Sequence, residues 1–242
     1  MKKLTIVKVG GAVVENPPAL EAFLDSFCSI PGAKILIHGG GRATSDMSAR
    51  LGLPVIMKDG RRITDAQTLE VAIMVYGGLV NKKIVALLQK RGVNALGLSG
   101  ADLACIKAVR RPVGGIDYGY VGDVTQVDSE AVSGLLEAGI TPVFAPLSFD
   151  GGSLLNTNAD SIAACVASAL CGDYEVTLKY QFEKEGVLDK DGRLIASVDR
   201  NSFSALRDAG TISGGMIPKI ENAVHSLESG VSRVFIGSTL IE

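Results

Sequence analysis

The amino-acid sequence predicts an α/β fold in which a mostly parallel sheet is covered by helices on both faces. Short runs of β-branched residues alternate along the chain with longer stretches whose apolar residues recur every three or four positions. Alternating strands and helices of these lengths are typical of parallel sheets packed between helices. The chain has 242 residues and 47% hydrophobic content, which is enough to bury a large core in one domain or in two lobes.

The same periodicity places the individual elements. The predicted strands are residues 5–9, 33–37, 95–98, 141–144, 175–178 and 232–236. The predicted helices are residues 19–29, 44–51, 65–89, 129–138, 160–170 and 216–228. Asp128 or Ser129 can cap the fourth of these helices, and Gly139 suits its left-handed exit residue.

The stretch 103–127 breaks this alternation. Pro112 and the pair Gly114-Gly115 punctuate β-like runs there, which predicts a hairpin leaving the main sheet.

A change of composition near Gly172 separates a glycine-rich front from a shorter, more charged rear. It predicts an N-terminal lobe at 1–172 and a C-terminal lobe at 173–242. Two lobes would enclose a cleft at the carboxyl ends of the parallel strands, where such sheets bind ligands.

Composition excludes several classes of protein. The chain has 24 basic and 26 acidic residues and a net charge of −2, so no nucleic-acid or anionic-membrane partner is expected. The N-terminal apolar run is interrupted at Lys8, and no long uncharged stretch predicts a membrane span, so we expect a cytoplasmic enzyme. The 4 cysteines form no CxxC pair and only 2 histidines are present, so we predict reduced thiols and no protein metal site.

Two glycine-rich turns follow the first two predicted strands. In Lys8-Val9-Gly10-Gly11, paired glycines let backbone N–H groups approach phosphate oxygens while an ammonium group neutralises their charge. A plain strand-to-helix turn remains an alternative reading. In His38-Gly39-Gly40-Gly41, three successive glycines before a helix favour a backbone anion site, whereas the imidazole of His38 is read as structural.

Charged and amide side chains occupy other turns and helix starts. Residues 58–65 contain two arginines, and one of them can grip a carboxylate with its planar fork, although a solvated hairpin tip is an equal alternative. In residues 155–160, Asn156 and Asn158 offer amide groups, and Asp160 either caps a helix or organises nearby lysines. Residues 213–219 form a glycine turn that leads to Lys219.

Together these positions suit phosphoryl transfer. The set contains lysines, glycine-rich turns, an arginine, asparagines and an aspartate, but no nucleophile with an adjacent base. Phosphoryl transfer depends mainly on positioning and charge neutralisation and requires little covalent chemistry from the protein.

The order of the motifs identifies a family. The chain reads K-x-G-G, H-G-G-G, a version of K-x-x-G-x-R-x-T at 58–64, N-x-N-A-D and G-G-M-x-x-K. This set resembles the acetylglutamate kinases of the amino-acid kinase family from residue 4 to about 228. The resemblance implies a three-layer αβα sandwich with an open, mainly parallel central sheet, as in amino-acid and carbamate kinases. It also implies transfer of the γ-phosphoryl group of ATP to the side-chain carboxylate of an N-acyl-L-glutamate in arginine biosynthesis, with Mg²⁺ held mainly by the nucleotide.

The resemblance gives a role to each matching residue. Lys8 and Lys219 would neutralise charge on the transferring phosphoryl group, and Asp160 would organise the two lysines. The residues implied in acceptor binding are Gly40, Gly41, Arg62 and Asn156. Those implied in phosphoryl or nucleotide binding are Gly10, Gly11, Gly214 and Gly215.

The chain also departs from the family pattern. Where the family reads L-[ST]-D-V-x-G-[VIL], residues 178–188 differ and Glu183 takes the aspartate position, which leaves the adenine and ribose contacts open. The chain starts directly with the first strand, without the N-terminal helix of hexameric, arginine-inhibited members, so we expect a homodimer without arginine feedback.

Other functions remain as alternatives. Another member of the family, such as a carbamate, glutamate 5- or aspartate kinase, shares the fold, and a non-catalytic relative would keep the fold without turnover. A Rossmann dehydrogenase would need GxGxxG after the first strand, which this chain lacks. The acyl group is also open: acetyl is the family default, and succinyl would need a roomier pocket and one more cation, for which Arg61 is a candidate.

Overall fold

A computed structural model describes residues 1–212 and 216–242. Its strands are β1 (Lys2–Val9), β2 (Ala33–His38), β3 (Met57–Lys58), β4 (Arg61–Arg62), β5 (Ala95–Leu98), β6 (Ile106–Arg110), β7 (Val121–Val127), β8 (Thr141–Phe144), β9 (Leu147–Phe149), β10 (Leu154–Thr157), β11 (Tyr174–Gln181), β12 (Ser197–Val198), β13 (Arg233–Ile236) and β14 (Thr239–Ile241). Its α-helices are α1 (Gly11–Glu15), α2 (Pro17–Cys28), α3 (Gly41–Arg50), α4 (Ala66–Ala72), α5 (Asn81–Lys90), α6 (Ser129–Glu137), α7 (Ala159–Leu170), α8 (Arg200–Asp208) and α9 (Met216–Glu228).

Among the described residues, the central sheet has eight strands in the order β12-β14-β13-β11-β1-β2-β8-β5. Neighbouring strands run parallel except β13 and β14, which are antiparallel. Every strand and helix predicted from the periodicity is present, with ends that differ by a few residues.

The two faces of the sheet bury separate apolar clusters. Along β1, Leu4 and Ile6 pack with α7 and α9, whereas Val7 and Val9 point to the opposite face and pack with α2 and α5. This alternation follows from the two-residue repeat of a strand and requires a helical layer on each side. The predicted three-layer αβα sandwich with an open, mainly parallel sheet is confirmed.

The strands outside the central sheet include a smaller barrel. β6 and β7 are antiparallel, which confirms the hairpin predicted within 103–127, and with β9 and β10 they close a four-stranded barrel. The barrel delivers Asn156 from β10 to the carboxyl edge of the main sheet, and the chain then enters α7.

A continuous helical stretch runs from α4 through a π-helical segment, Ile73–Val80, into α5. This stretch, Ala66–Lys90, is long and apolar enough to cross a membrane by length and composition, and 44% of its most apolar window is buried within the fold. Its inner face contributes Val75, Ile84 and Leu88 to the core, as expected for a core helix.

Helix caps follow the predicted chemistry. Asp128 caps α6 by accepting a hydrogen bond from the Ala131 N–H at 3.0 Å, and Gly139 adopts φ +71° directly after the helix. Strands from before and after residue 172 belong to the same sheet, because β11 pairs with β1 along its whole length. The boundary between two lobes at 172 therefore stays a prediction about ligand binding.

Candidate active site

Three charged side chains meet at the carboxyl end of β1. Lys8 Nζ lies 2.8 Å from Asp160 Oδ1, an ion pair outside hydrogen-bond angles, and Lys219 Nζ donates a hydrogen bond to Asp160 Oδ2 at 3.0 Å. They come from β1, from the first turn of α7 and from the first turn of α9. The fold thus brings together the three residues named from the sequence as phosphoryl-transfer residues.

Asp160 is free to bind the lysines because another residue caps its helix. The side chain of Asn158 accepts the N–H groups of Asp160 and Ser161 at 2.7 and 3.2 Å. Burial opposes ionisation of Asp160, but the charges of Lys8 and Lys219 outweigh it and hold the pKa of this carboxyl below its ordinary value. The carboxylate therefore stays ionised at neutral pH and keeps both ammonium groups in one place.

The two glycine-rich turns pack directly on each other. A Cβ added at Gly39 would lie 2.9 Å from the Gly11 nitrogen, and one added at Gly11 would lie 3.2 Å from the Gly40 nitrogen. Only glycines allow this approach. The Gly10 N–H is already used, because it donates to Gln181 O at 2.8 Å. Gly11 is the first residue of α1, so its N–H has no acceptor within the helix.

Gly40 opens the N-terminus of α3 toward a cavity. Its φ is +154°, and an added Cβ would contact the ring of Tyr76 at 3.3 Å. Gly40 itself has no capping side chain, but Glu15 Oε1 accepts the Ala43 N–H in the first turn of α3 at 2.7 Å. The two N–H groups before Ala43 have no acceptor within the helix and form a favourable environment for an anion.

Arg62 is 7% exposed and projects from a tight hairpin. Asp59 and Gly60 both have positive φ, at +49° and +72°, as in the two-residue turns that join antiparallel strands. Arg62 Nη2 donates to Gly41 O at 2.8 Å and to Ser45 Oγ at 2.7 Å. Within the described part of the chain, Arg62 Nη1 is buried without a hydrogen-bond partner. A buried guanidinium with an unused donor favours an anionic ligand.

A cavity of about 210 Å³ joins these groups. Its walls include Gly40, Gly41, Arg62 and Asn156, so the fold gathers all four residues predicted to bind the acceptor. Ala159 also lines it, and the cavity therefore ends beside the residue that holds both lysines. Arg61 lies on the wall and is partly exposed.

His38 is fully buried beside this cavity and is neutral. Its Nδ1 lies 2.8 Å from Gly39 O, and its Nε2 lies 3.2 Å from Asn81 Nδ2. Because a carbonyl only accepts and an amide nitrogen only donates, Nδ1 carries the proton and Nε2 accepts. Burial lowers the pKa of His38 to about 4. These contacts agree with the structural role inferred from the sequence.

Part of the predicted nucleotide site lies within the described residues. Gly214 and Gly215 lie outside the described residues. Phe182 follows β11, and Lys219 Nζ lies 5.9 Å from the centre of its ring. Glu183, at the aspartate position of the family pattern, is exposed. Across the described residues, no group of three or more histidine, cysteine or acidic side chains could hold a metal ion.

Several residues of the site were not singled out from the sequence. Ser45 anchors Arg62, Tyr76 packs on Gly40, and Glu15 Oε1 accepts the Ala43 N–H at 2.7 Å. Ser45 stands four positions after Gly41, which places both on one side of α3. This spacing was the available signal for Ser45, whereas the other two contacts join distant parts of the chain.

Comparison with known proteins agrees with the geometry. The amino acid kinase family model matches residues 3–238. A curated acetylglutamate kinase from Bacteroides fragilis is 52% identical over 239 residues, which cover 97% of this chain and 92% of that protein.

Solved structures show the same fold. A protein from Streptococcus mutans UA159 has a TM-score of 0.81 and 28% identity, with 100% of this chain and 99% of that chain covered. The carbamate kinase of Giardia has a TM-score of 0.67 at 11% identity, with 99% and 98% covered, and this likeness concerns the fold alone.

The chain therefore belongs to the amino acid kinase family. Within that family it groups with the acetylglutamate kinases, which match it at about half of all positions over nearly its whole length.

Proposed function

We propose that the chain transfers the γ-phosphoryl group of ATP to the side-chain carboxylate of an N-acyl-L-glutamate. It is a phosphotransferase of the acetylglutamate kinase type, with a carboxyl group as acceptor. A bond forms between a carboxylate oxygen and the γ-phosphorus, the bond from that phosphorus to the bridging oxygen breaks, and ADP leaves. The product is an acyl phosphate, as required in arginine biosynthesis.

The observation that carries this proposal is the ion triad beside the acceptor cavity. Asp160 holds two ammonium groups within 3.0 Å of its carboxylate oxygens. Lys8 and Lys219 together place two positive charges where the phosphoryl group would pass, and Asp160 offsets one of them. Charge placed before the reaction stabilises a transition state whose negative charge is spread over phosphoryl oxygens.

The glycine turns supply space and backbone donors in this arrangement. We assign Gly11 an N–H contact to the phosphoryl group, and Gly10 the room for its approach. Gly214 and Gly215 would contact the nucleotide before α9. Mg²⁺ bound to the nucleotide phosphates would neutralise part of their charge, and this needs no cluster of protein carboxylates.

The acceptor would lie in the cavity with its α-carboxylate on Arg62. The free Nη1 of Arg62 offers a charge-assisted hydrogen bond, and Gly40 and Gly41 expose the N-terminus of α3 to the same ligand. Asn156 would contact the acceptor from the opposite wall. In this proposal the lobe at 1–172 binds the acceptor and the lobe at 173–242 binds ATP.

The test is ADP release with MgATP in the presence of single acceptors. The panel contains N-acetyl-L-glutamate, N-succinyl-L-glutamate, free glutamate, aspartate and carbamate. Turnover confined to an N-acyl-glutamate supports the proposal and identifies the acyl group. A folded protein that turns over none of the five would contradict it, and turnover of aspartate or carbamate would move the chain to another branch of the family.

We also propose that the protein is a cytoplasmic homodimer. β5 ends the central sheet with one free edge. Leu96 on this strand exposes an apolar side chain, and so does Met74, which lines a pocket with Gly97 and Leu98; surfaces that bind a second copy share this feature. Light scattering after size-exclusion chromatography measures the mass directly. A monomer at micromolar concentration would contradict the dimer.

A further inference from the structure

Thr64 links the backbone of Arg62 to the side chain of Asn156, and both of these residues line the acceptor cavity. It is completely buried, and it follows Arg62 by two residues at the end of the hairpin. Its hydroxyl donates to Arg62 O at 3.1 Å and accepts from Asn156 Nδ2 at 3.0 Å. One hydroxyl therefore joins the hairpin to Asn156, which lies 92 positions after Thr64 in the chain.

The direction of these two hydrogen bonds fixes the amide group of Asn156. A threonine hydroxyl has a single proton, and here that proton goes to a backbone carbonyl. The same oxygen must then accept from Asn156, so the amide presents its nitrogen to Thr64. The second N–H and the carbonyl of the amide stay available to a ligand in the cavity.

Backbone hydrogen bonds hold Thr64 itself in place. Its N–H donates to Tyr118 O at 3.0 Å, and its carbonyl accepts from the Tyr120 N–H at 2.7 Å. The Asn156 N–H in turn donates to Tyr120 O at 2.9 Å. Thr64, the 118–120 loop and β10 thus form one hydrogen-bonded ribbon that carries both Arg62 and Asn156.

Gly119 makes this close approach possible. It adopts φ +69°, and an added Cβ would lie 2.3 Å from Thr64 O. That distance is far below any van der Waals contact, so another residue at 119 would displace the Thr64 carbonyl.

We propose that Thr64 is a positioning residue for the acceptor, which it serves by orienting Asn156 and fixing the backbone of Arg62. The proposal rests on the proposed function, because it concerns binding of the same N-acyl-glutamate. Loss of the hydroxyl would leave the Asn156 amide free to rotate away from its binding orientation. The phosphoryl-transfer lysines, which come from other elements, would keep their positions.

The experiment compares Thr64→Val, which keeps the shape of the side chain, with Thr64→Ser, which keeps the hydroxyl. Binding of the preferred N-acyl-glutamate is measured by calorimetry, and KM and kcat are measured for both substrates. Thr64→Val should raise Kd and KM for the acceptor about tenfold or more, because buried partners lose a hydrogen bond. Its KM for ATP should stay at the wild-type value, and Thr64→Ser should restore acceptor binding.

Thr239→Val is the matched structural control. Thr239 is equally buried, and its hydroxyl also bridges two partners, donating to Ile195 O at 2.7 Å and accepting from the Val187 N–H at 2.9 Å. This variant should lower the melting temperature without weakening acceptor binding. If it weakens acceptor binding as much as Thr64→Val does, the effect is general destabilisation and the positioning role is wrong.

Two further outcomes separate this inference from the proposed function. A wild-type protein that binds no N-acyl-glutamate removes the proposed function and the inference together. Wild-type binding that is unchanged in Thr64→Val overturns the inference alone. Gly119→Ala gives an independent check if Thr64→Val does not fold, since it keeps the hydroxyl but displaces the Thr64 carbonyl, and it should also weaken acceptor binding.

Discussion

The two halves of the candidate active site are held by different forces. The phosphoryl-transfer half consists of two lysines on one carboxylate, Asp160, and depends on charge. The acceptor half consists of Arg62 and Asn156, and depends on directional hydrogen bonds through Thr64, Ser45 and Gly41 O. Charge tolerates small changes of position, whereas a hydrogen bond weakens steeply with angle. Changes in the first half should therefore affect turnover, and changes in the second should affect affinity for the acceptor.

The largest effect is expected for Lys8→Ala. Removal of this ammonium group should lower kcat by about a hundredfold to a thousandfold, as for loss of one preorganised donor at developing charge. KM for the acceptor should change little, since Lys8 lies outside the hydrogen-bonded half. Steady-state kinetics with both substrates varied measures the two parameters.

Lys3→Ala is the control for this variant, because Lys3 lies on the same strand and is exposed. It should keep full activity. Unchanged turnover in Lys8→Ala, with its fold verified by circular dichroism, would remove Lys8 from the mechanism.

Arg62→Lys should have the opposite kinetic pattern. Lysine keeps the charge but cannot form the fork that reaches Gly41 O, Ser45 and a ligand carboxylate together. We expect KM for the acceptor to rise about 30-fold, or about 2 kcal/mol, with a smaller change in kcat. Lys58 lies on the same hairpin and is exposed, so the control variant Lys58→Ala should leave KM for the acceptor unchanged. A fall in kcat with constant KM would contradict the division between the halves.

Acid should weaken the fold through His38 while the ion triad stays charged. The folded pKa of His38 is about 4, below the ordinary value of 6.5, because of burial. Between these values the unfolded chain binds a proton that the folded chain does not. The contribution of His38 to the free energy of unfolding is therefore complete above pH 6.5. It falls by about 1.4 kcal/mol per pH unit as the pH drops toward 4. The pKa of Asp160 is lowered, so its ion pairs persist across this window.

Urea unfolding at several pH values measures this slope, and the chain provides its own control. His225, the other histidine, is exposed, so His225→Gln removes an imidazole and leaves the buried ring of His38 in place. His38→Gln should be less stable at neutral pH but should lose this part of the slope. Equal slopes in the two variants would exclude His38 as the source.

The main sheet could be predicted from the sequence because its signals are local. The apolar residues of β11 and α6 repeat with the period of their element, and cap residues such as Asp128 mark helix starts. The short strands β9 and β10 have too few residues for a period, and their pairing into a barrel depends on contacts with β6 and β7. The π-helical segment Ile73–Val80 has an apolar pattern that a continuous α-helix would share.

The residue types of the site were also visible, but their partners were not. The glycines and lysines stand at strand ends and helix starts, where the sequence alone indicates ligand binding. Whether Asp160 or Asn158 caps α7 depends on which side chain turns back to the helix, and the sequence permits either. The hydrogen bond between Thr64 and Asn156 joins residues far apart in the chain, so no local spacing could predict it.

The smallest effect is expected for Ser45→Ala, which tests whether the acceptor half depends on each anchor. Ser45 Oγ accepts one of the two hydrogen bonds from Arg62 Nη2, and Gly41 O keeps the other. Loss of one hydrogen bond to a charged donor that retains a partner should cost about 1 kcal/mol, so KM for the acceptor should rise about fivefold. Stability and kcat should stay near the wild-type values. Ser45→Thr, which keeps the hydroxyl on the same turn of α3, should restore the wild-type KM. If Ser45→Ala instead matches Arg62→Lys in KM, the guanidinium is fixed by Ser45 alone and the acceptor half is less redundant than its two anchors indicate.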